Sequence, residues 1–125
     1  MSNDVYWVLE LNIKPGELDN MKALMNEMVE ATQANEPDTL NYEWFISEDE
    51  KTCHLYERYA DSAAVMTHLG NFRQYFARRF LAVFEPTRQV VYGNPNDEVR
   101  KALAGAGAVF MGPLGGFVRP LPAQF

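Results

Sequence analysis

The chain has 125 residues, enough for one core and too few for two. Its formal net charge of -6 opposes the phosphate backbone of a nucleic acid, and 47% hydrophobic residues exclude a disordered chain. The single cysteine, Cys53, cannot form an internal disulfide and suits a reducing, cytoplasmic setting.

No basic segment followed by an apolar run opens the chain, so no signal peptide is expected. No apolar run approaches the roughly 20 residues of a membrane helix. Val5 to Ile13 alternates, with Val5, Trp7, Leu9, Leu11 and Ile13 on one face and Tyr6, Val8, Glu10 and Asn12 on the other. This predicts a first strand. Lys14-Pro15-Gly16 ends it. From Glu17 to about Asn35 the apolar residues Leu18, Met21, Leu24 or Met25, Met28 and Ala31 or Thr32 recur at helical spacing. Pro37 stops that helix. The methionine stripe reads as gap-filling core.

Two aromatic-rich runs follow, Leu40 to Ser47 and Thr52 to Ala60, around the charged turn Glu48-Asp49-Glu50-Lys51. They predict a hairpin. With Ser47 opposite Thr52, one face holds Leu40, Tyr42, Trp44, Ile46, Cys53, Leu55, Glu57 and Tyr59. The other holds Asn41, Glu43, Phe45, Thr52, His54, Tyr56 and Arg58. A one-residue slip would mix the sets, so the segregated register is expected. It leaves Glu57 as a carboxylate among apolar neighbours, which requires a partner. Asp61 caps a short helix reaching His68, and Gly70-Asn71 is expected to break it. A second segment runs from about Phe72 to Phe84, Pro86 ends it, and Thr87 to Tyr92 is a further strand. The order is βαββαβ, a ferredoxin-like α+β arrangement with an antiparallel sheet and both helices on one face. Residues 1–93 form that domain. Residues 94–125 form an extension, with a short helix near Glu98 to Leu103 and a Gly/Pro-rich arm expected to pack on the domain or on a second copy. Val109 to Phe117 carries enough apolar area for ordered docking. Gly105-Ala106-Gly107 lacks the third glycine and the strand–helix context of a dinucleotide loop.

Cys53 and His54 are neighbours on a strand and point to opposite faces, so they cannot share a metal ion, and Glu57 with His68 are too few ligands. No metal site is expected. The remaining candidate is the space between helices and sheet, where Tyr42, Trp44, Glu57 and Tyr59 project and His68 lies above. A buried carboxylate beside an imidazole can take a proton from a phenol or an activated C–H. The same pair could simply stabilise the fold.

At these residues the chain resembles the antibiotic biosynthesis monooxygenase (ABM) family of dimeric α+β barrels, particularly its quinol monooxygenase branch. The resemblance is carried by Ile13-Lys14-Pro15-Gly16, Leu40-Asn41-Tyr42-Glu43 and Glu57-Arg58-Tyr59-Ala60-Asp61 followed by His68, within roughly Val5 to Tyr92. It implies a homodimer with facing sheets, a cleft in each subunit, and oxidation of a quinol or polycyclic aromatic by O2 with no cofactor. Glu57 and His68 would be the catalytic pair, with His68 as base or orienting group. Tyr42, Trp44, Tyr59, Trp7 and Phe72 would bind the substrate. Tyr59 stands where the family more often has tryptophan. Leu9, His68 and Arg78 stand where haem-degrading relatives carry asparagine and a Trp/His pair, so haem degradation is disfavoured. The same fold also hosts isomerases, stress-related proteins and non-catalytic binders.

Overall fold

A computed structural model describes residues 3–119, so the last residues of the C-terminal extension, 120–125, lie outside the described residues. Strand β1 (Val5–Ile13) buries Val5, Trp7 and Leu11 on the face set by the alternation. Helix α1 (Leu18–Asn35) begins one residue after Glu17 and buries Met21, Leu24, Met28 and Thr32. That stripe settles the sequence ambiguity in favour of Leu24 and Thr32, which fall on the line facing the sheet. Glu36 ends the helix immediately before Pro37.

Strands β2 (Thr39–Ile46) and β3 (Thr52–Tyr59) pair in the expected register, Trp44 opposite Leu55 and Tyr42 opposite Glu57. The turn closes with Ser47 N donating to Thr52 O at 2.9 Å. Two residues leave the expected buried set. A bulge between Thr39 and Asn41 turns Leu40 outward to 47% exposure, and Ile46, at the end of an edge strand, is 46% exposed.

Asp61 caps α2 (Ser62–Tyr75), accepting from Ala64 N at 2.9 Å. The helix does not break at Gly70-Asn71. A helical glycine costs about 1 kcal/mol relative to alanine, and packing of the inward stripe Val65, His68 and Phe72 outweighs it. The break falls at Phe76, followed by α3 (Ala77–Val83). Strand β4 (Phe84–Gly93) starts earlier than the sequence indicates; its register shifts beside Pro86, which tolerates the missing N–H. Gly93 has φ +108, and a Cβ there would lie 2.6 Å from Asp4 O, so the position requires glycine.

Helix α4 (Asp97–Ala104) is capped by Asn96 and buries Val99 and Leu103 against Val5, Trp7 and Val65. Strand β5 (Val109–Met111) then joins β4 in parallel. Among the described residues the sheet is therefore five-stranded and mixed, in the order β2-β3-β1-β4-β5, where the sequence indicates four antiparallel strands. The βαββαβ core is as expected; α3 is the end of the helical segment expected to Phe84, α4 is the short helix expected near Glu98 to Leu103, and β5 is added. Beyond Met111 the side chains of Leu114, Phe117 and Val118 are exposed. No described helix is long and apolar enough to cross a membrane.

Candidate functional site

The sheet register assembles the site. Tyr42, Glu57 and Trp7 sit directly opposite one another on β2, β3 and β1, so their side chains form one row under the helices. His68 projects onto that row from α2. Glu36 reaches it from the C-terminal end of α1. The row borders a cavity of about 390 Å³ lined by Trp7, Tyr42, Glu57, His68, Phe72 and Phe80, among others.

Glu57 is 3% exposed and His68 6%. The Glu57 carboxylate accepts from Trp7 Nε1 at 2.6 Å on Oε2 and from the Tyr59 hydroxyl at 2.5 Å on Oε1. His68 Nε2 lies 3.2 Å from Glu57 Oε1, and His68 Nδ1 lies 2.8 Å from Glu36 Oε1. Glu36 also accepts from Thr39 Oγ1 at 3.0 Å and Asn71 Nδ2 at 3.2 Å.

This geometry decides the protonation of His68. Both ring nitrogens face carboxylate oxygens, which accept and do not donate. A neutral imidazole bonded to Glu36 through its Nδ1–H would turn the lone pair of Nε2 toward the Glu57 carboxylate, so the ring between the two carboxylates is the imidazolium. Burial alone would lower its pKa, but the bonds to Glu36 and Glu57 prevail and raise it to about 9. At Glu36, burial pushes the carboxyl up. The bonds from His68, Asn71 and Thr39 outweigh that push and hold it below the usual carboxylate range. Tyr59 is held protonated, mainly by burial and then by the charge of Glu57. The Tyr42 phenol is pushed up for the same two reasons. Its hydroxyl and Trp44 Nε1 are buried without a hydrogen-bond partner.

Two carboxylates and one imidazolium leave the cluster with one net negative charge. A protonated ring with both nitrogens engaged has no free lone pair, so His68 suits an orienting role. The carboxylate oxygens retain acceptor capacity, and Glu57 borders the cavity directly. Among the described residues, no three side chains converge as metal ligands.

Of the residues singled out by the sequence, Glu57, His68, Tyr42, Trp7 and Phe72 meet at the cavity. Tyr59 and Trp44 lie outside its lining. Tyr59 bonds Glu57 and tilts against Trp7 and His68, at centroid distances of 5.0 and 5.4 Å. Trp44 packs on Tyr42, Phe80 and Phe84. Cys53 is buried, which raises its thiol pKa and leaves it a core side chain. Sequence reasoning missed Glu36. Its only visible mark is an acid before the helix-stopping Pro37, which gives no hint of a partner 32 residues away.

Comparison with known proteins agrees with this architecture. MupZ from Pseudomonas fluorescens superposes with a TM-score of 0.83 at 23% identity, over 97% of this chain and 99% of that one. SO0527 from Shewanella oneidensis gives 0.63 at 21% identity, over 74% and 91%. SnoaB from Streptomyces nogalater, described as a cofactor-independent oxygenase, gives 0.61 at 14% identity, over 72% and 91%. At these identities the likeness is one of fold. No curated protein matches the chain by sequence. The profile of the family described as antibiotic biosynthesis monooxygenase matches residues 5–78, more than half of the sequence, including β1, α1, β2, β3 and α2, which carry Trp7, Glu36, Tyr42, Glu57, His68 and Phe72. The chain belongs to the antibiotic biosynthesis monooxygenase family.

Proposed function

We propose that the protein is a cofactor-independent monooxygenase that oxidises a small quinol or polycyclic aromatic with O2. The observation that carries this reading is the Glu57 carboxylate, fixed by Trp7, Tyr59 and His68 at the edge of an aromatic-walled cavity. Glu57 takes the proton of an acidic O–H or C–H, and the net charge of the cluster falls from one negative to zero. The substrate anion gives one electron to O2, and the radical pair recombines at carbon as a peroxide. Loss of water converts a CH2 group to a carbonyl: one oxygen atom stays in the product, the other leaves as water with the two hydrogens. His68 is a positioning residue that keeps Glu57 oriented. The test is oxygen uptake across a quinol and anthrone panel with 18O2. Incorporation of one labelled atom, lost in Glu57→Gln, is expected. No uptake by the wild type across the panel refutes the oxygenase.

A second reading, a small-molecule isomerase, is favoured by the same proton-accepting cluster, since an isomerisation needs proton transfer and no oxygen. Substrate conversion under nitrogen would select it. Binding without conversion would leave a ligand-binding barrel.

We also propose a homodimer through the outer sheet face. Tyr6, Tyr56 and Tyr92 cluster there, with centroids 6.4 and 5.5 Å from Tyr6, beside Val8 and the exposed Phe45. Such a face is more apolar than a solvated sheet surface should be, and a symmetric pairing covers it on both copies. Val109 and Met111 are exposed, as are Leu114, Phe117 and Val118 of the arm, and we assign their cover to the second copy. The buried thiol fits a cytoplasmic protein.

A further inference from the structure

We propose that the segment from Asp97 to Gly107 is the specificity wall of the cavity, fixing the length of a mostly apolar ligand whose neutral, ionisable group sits at Glu57. The inference rests on the reading of the cavity as a ligand site. Ala102, Leu103, Ala106 and Gly107 form part of the lining, although they lie far along the chain from the row that holds Glu57. Their support is independent of any ligand. Val99 and Leu103 are buried in the core, Asn96 caps α4, and Asn96 N donates to Ser62 Oγ at 3.0 Å, tying the wall to the start of α2. After the turn, the Arg100 guanidinium lies over the Phe110 ring at 5.2 Å, and Phe110 packs on the same core.

The wall is rigid where it meets the protein and small where it meets the cavity. Ala102 and Ala106 present one carbon each, and a Cβ built at Gly107 would have nothing within 4 Å. Gly107 has φ +81 and takes no larger residue without strain, so Ala102 and Ala106 are the positions at which a larger side chain would shorten the cavity. Charge narrows the ligand further. The cluster of Glu36, His68 and Glu57 is net negative, which disfavours an anion beside it and accepts a neutral group that can give up a proton there; Arg73 and Arg88 also line the cavity, so this preference holds at the Glu57 end. Trp7, Leu9, Phe72 and Phe80 provide apolar surface for the body of the molecule. The wall lies beyond residue 78, where the family match ends, so it is not part of what defines the family. The likeness to MupZ extends over 97% of this chain, well past the end of the family match.

The test is equilibrium dialysis under nitrogen with three neutral probes of increasing length: phenol, 2-naphthol and 2-hydroxyanthracene. The full chain is compared with Ala106→Phe, Ala102→Phe and the control Ala104→Phe, whose side chain is exposed and outside the cavity lining. The wild type and the control should bind all three, most tightly the longest. In Ala106→Phe the three-ring probe should weaken by about tenfold or more while phenol changes by less than about twofold. Ala106 is exposed at the cavity rim, so its variant should keep the wild-type melting temperature even if the partly buried Ala102→Phe does not fold. Unchanged binding of the three-ring probe by Ala106→Phe, an equal loss in Ala104→Phe, or a wild type that does not bind that probe overturns the proposal. Oxygen is absent throughout. The wall therefore stands if the size pattern holds while oxygen uptake fails, and it falls alone if uptake occurs without the size pattern.

Discussion

Replacing Glu36 by glutamine tests the charge logic of the site. Glutamine keeps the shape and one acceptor oxygen but removes one of the two charges that hold His68 as a cation. In the native protein His68 has its pKa raised from 6.5 to about 9. A raised imidazole contributes stability that is fully present below pH 6.5 and lost as pH rises through 9. The shift corresponds to about 3 kcal/mol. Stripping a buried ion of its only partner costs about 3–5 kcal/mol, but Glu57 remains at 3.2 Å, so a smaller loss of about 1–2 kcal/mol is expected at pH 6.5. For a chain of this size that is a fall of about 5 °C in melting temperature. The pKa of His68 should move down, and the stability lost between pH 6.5 and 9.5 should shrink relative to the wild type. NMR titration of the imidazole Cε1–H follows the first, with His54 as a separate resonance, and urea unfolding at the two pH values follows the second. A wild-type His68 that titrates at or below 6.5, or a titration unchanged in Glu36→Gln, refutes the double-carboxylate clamp.

Trp7→Phe removes the 2.6 Å donor to Glu57 Oε2 and should cost about 1–3 kcal/mol in urea unfolding, because a buried carboxylate oxygen is left without its protein donor; a loss below about 0.5 kcal/mol would show that the bond is not important to stability. Asp61→Ala deletes the cap of the helix that carries His68 and should cost about 1 kcal/mol, read as a melting shift of a few degrees, whereas Asp61→Asn should retain most of the stability. Val8→Glu places a charge at the centre of the outer sheet face, opposite Tyr56 and Val90, and should convert the proposed dimer to monomer in sedimentation velocity at micromolar concentration; a wild type already monomeric there would rule out the dimer.

Local periodicity made much of this protein legible in one dimension. The alternation in β1, the apolar stripe of α1 and the segregated faces of the β2–β3 hairpin follow from the two-residue and 3.6-residue repeats, which the chain displays without reference to anything distant. The hairpin register alone identified Glu57 as a carboxylate on an apolar face, and the Asp61 cap placed His68 on the helix above. Punctuation by single residues was less reliable. Gly70-Asn71 reads as a break but lies inside α2, because packing of Val65, His68 and Phe72 exceeds the glycine penalty. Leu40 belongs to the apolar set by parity and leaves it through a bulge that no local signal announces.

What only the tertiary structure decided is how distant polar groups meet. Glu36 lies 32 residues from His68, and Trp7 lies 50 from Glu57, so their bonds depend on how α1, α2 and β1 pack. The charge state of His68 follows from Glu57 on the preceding strand together with Glu36, which only the packing of α1 brings to it. The wall built from Asp97 to Gly107 is similar: the sequence indicates a short helix near Glu98 to Leu103 and a packed arm but no role at the site, and the segment lines the cavity because Val99 and Leu103 are drawn into the core. Periodicity is a property of neighbours along the chain, whereas charge compensation and cavity shape are properties of neighbours in space.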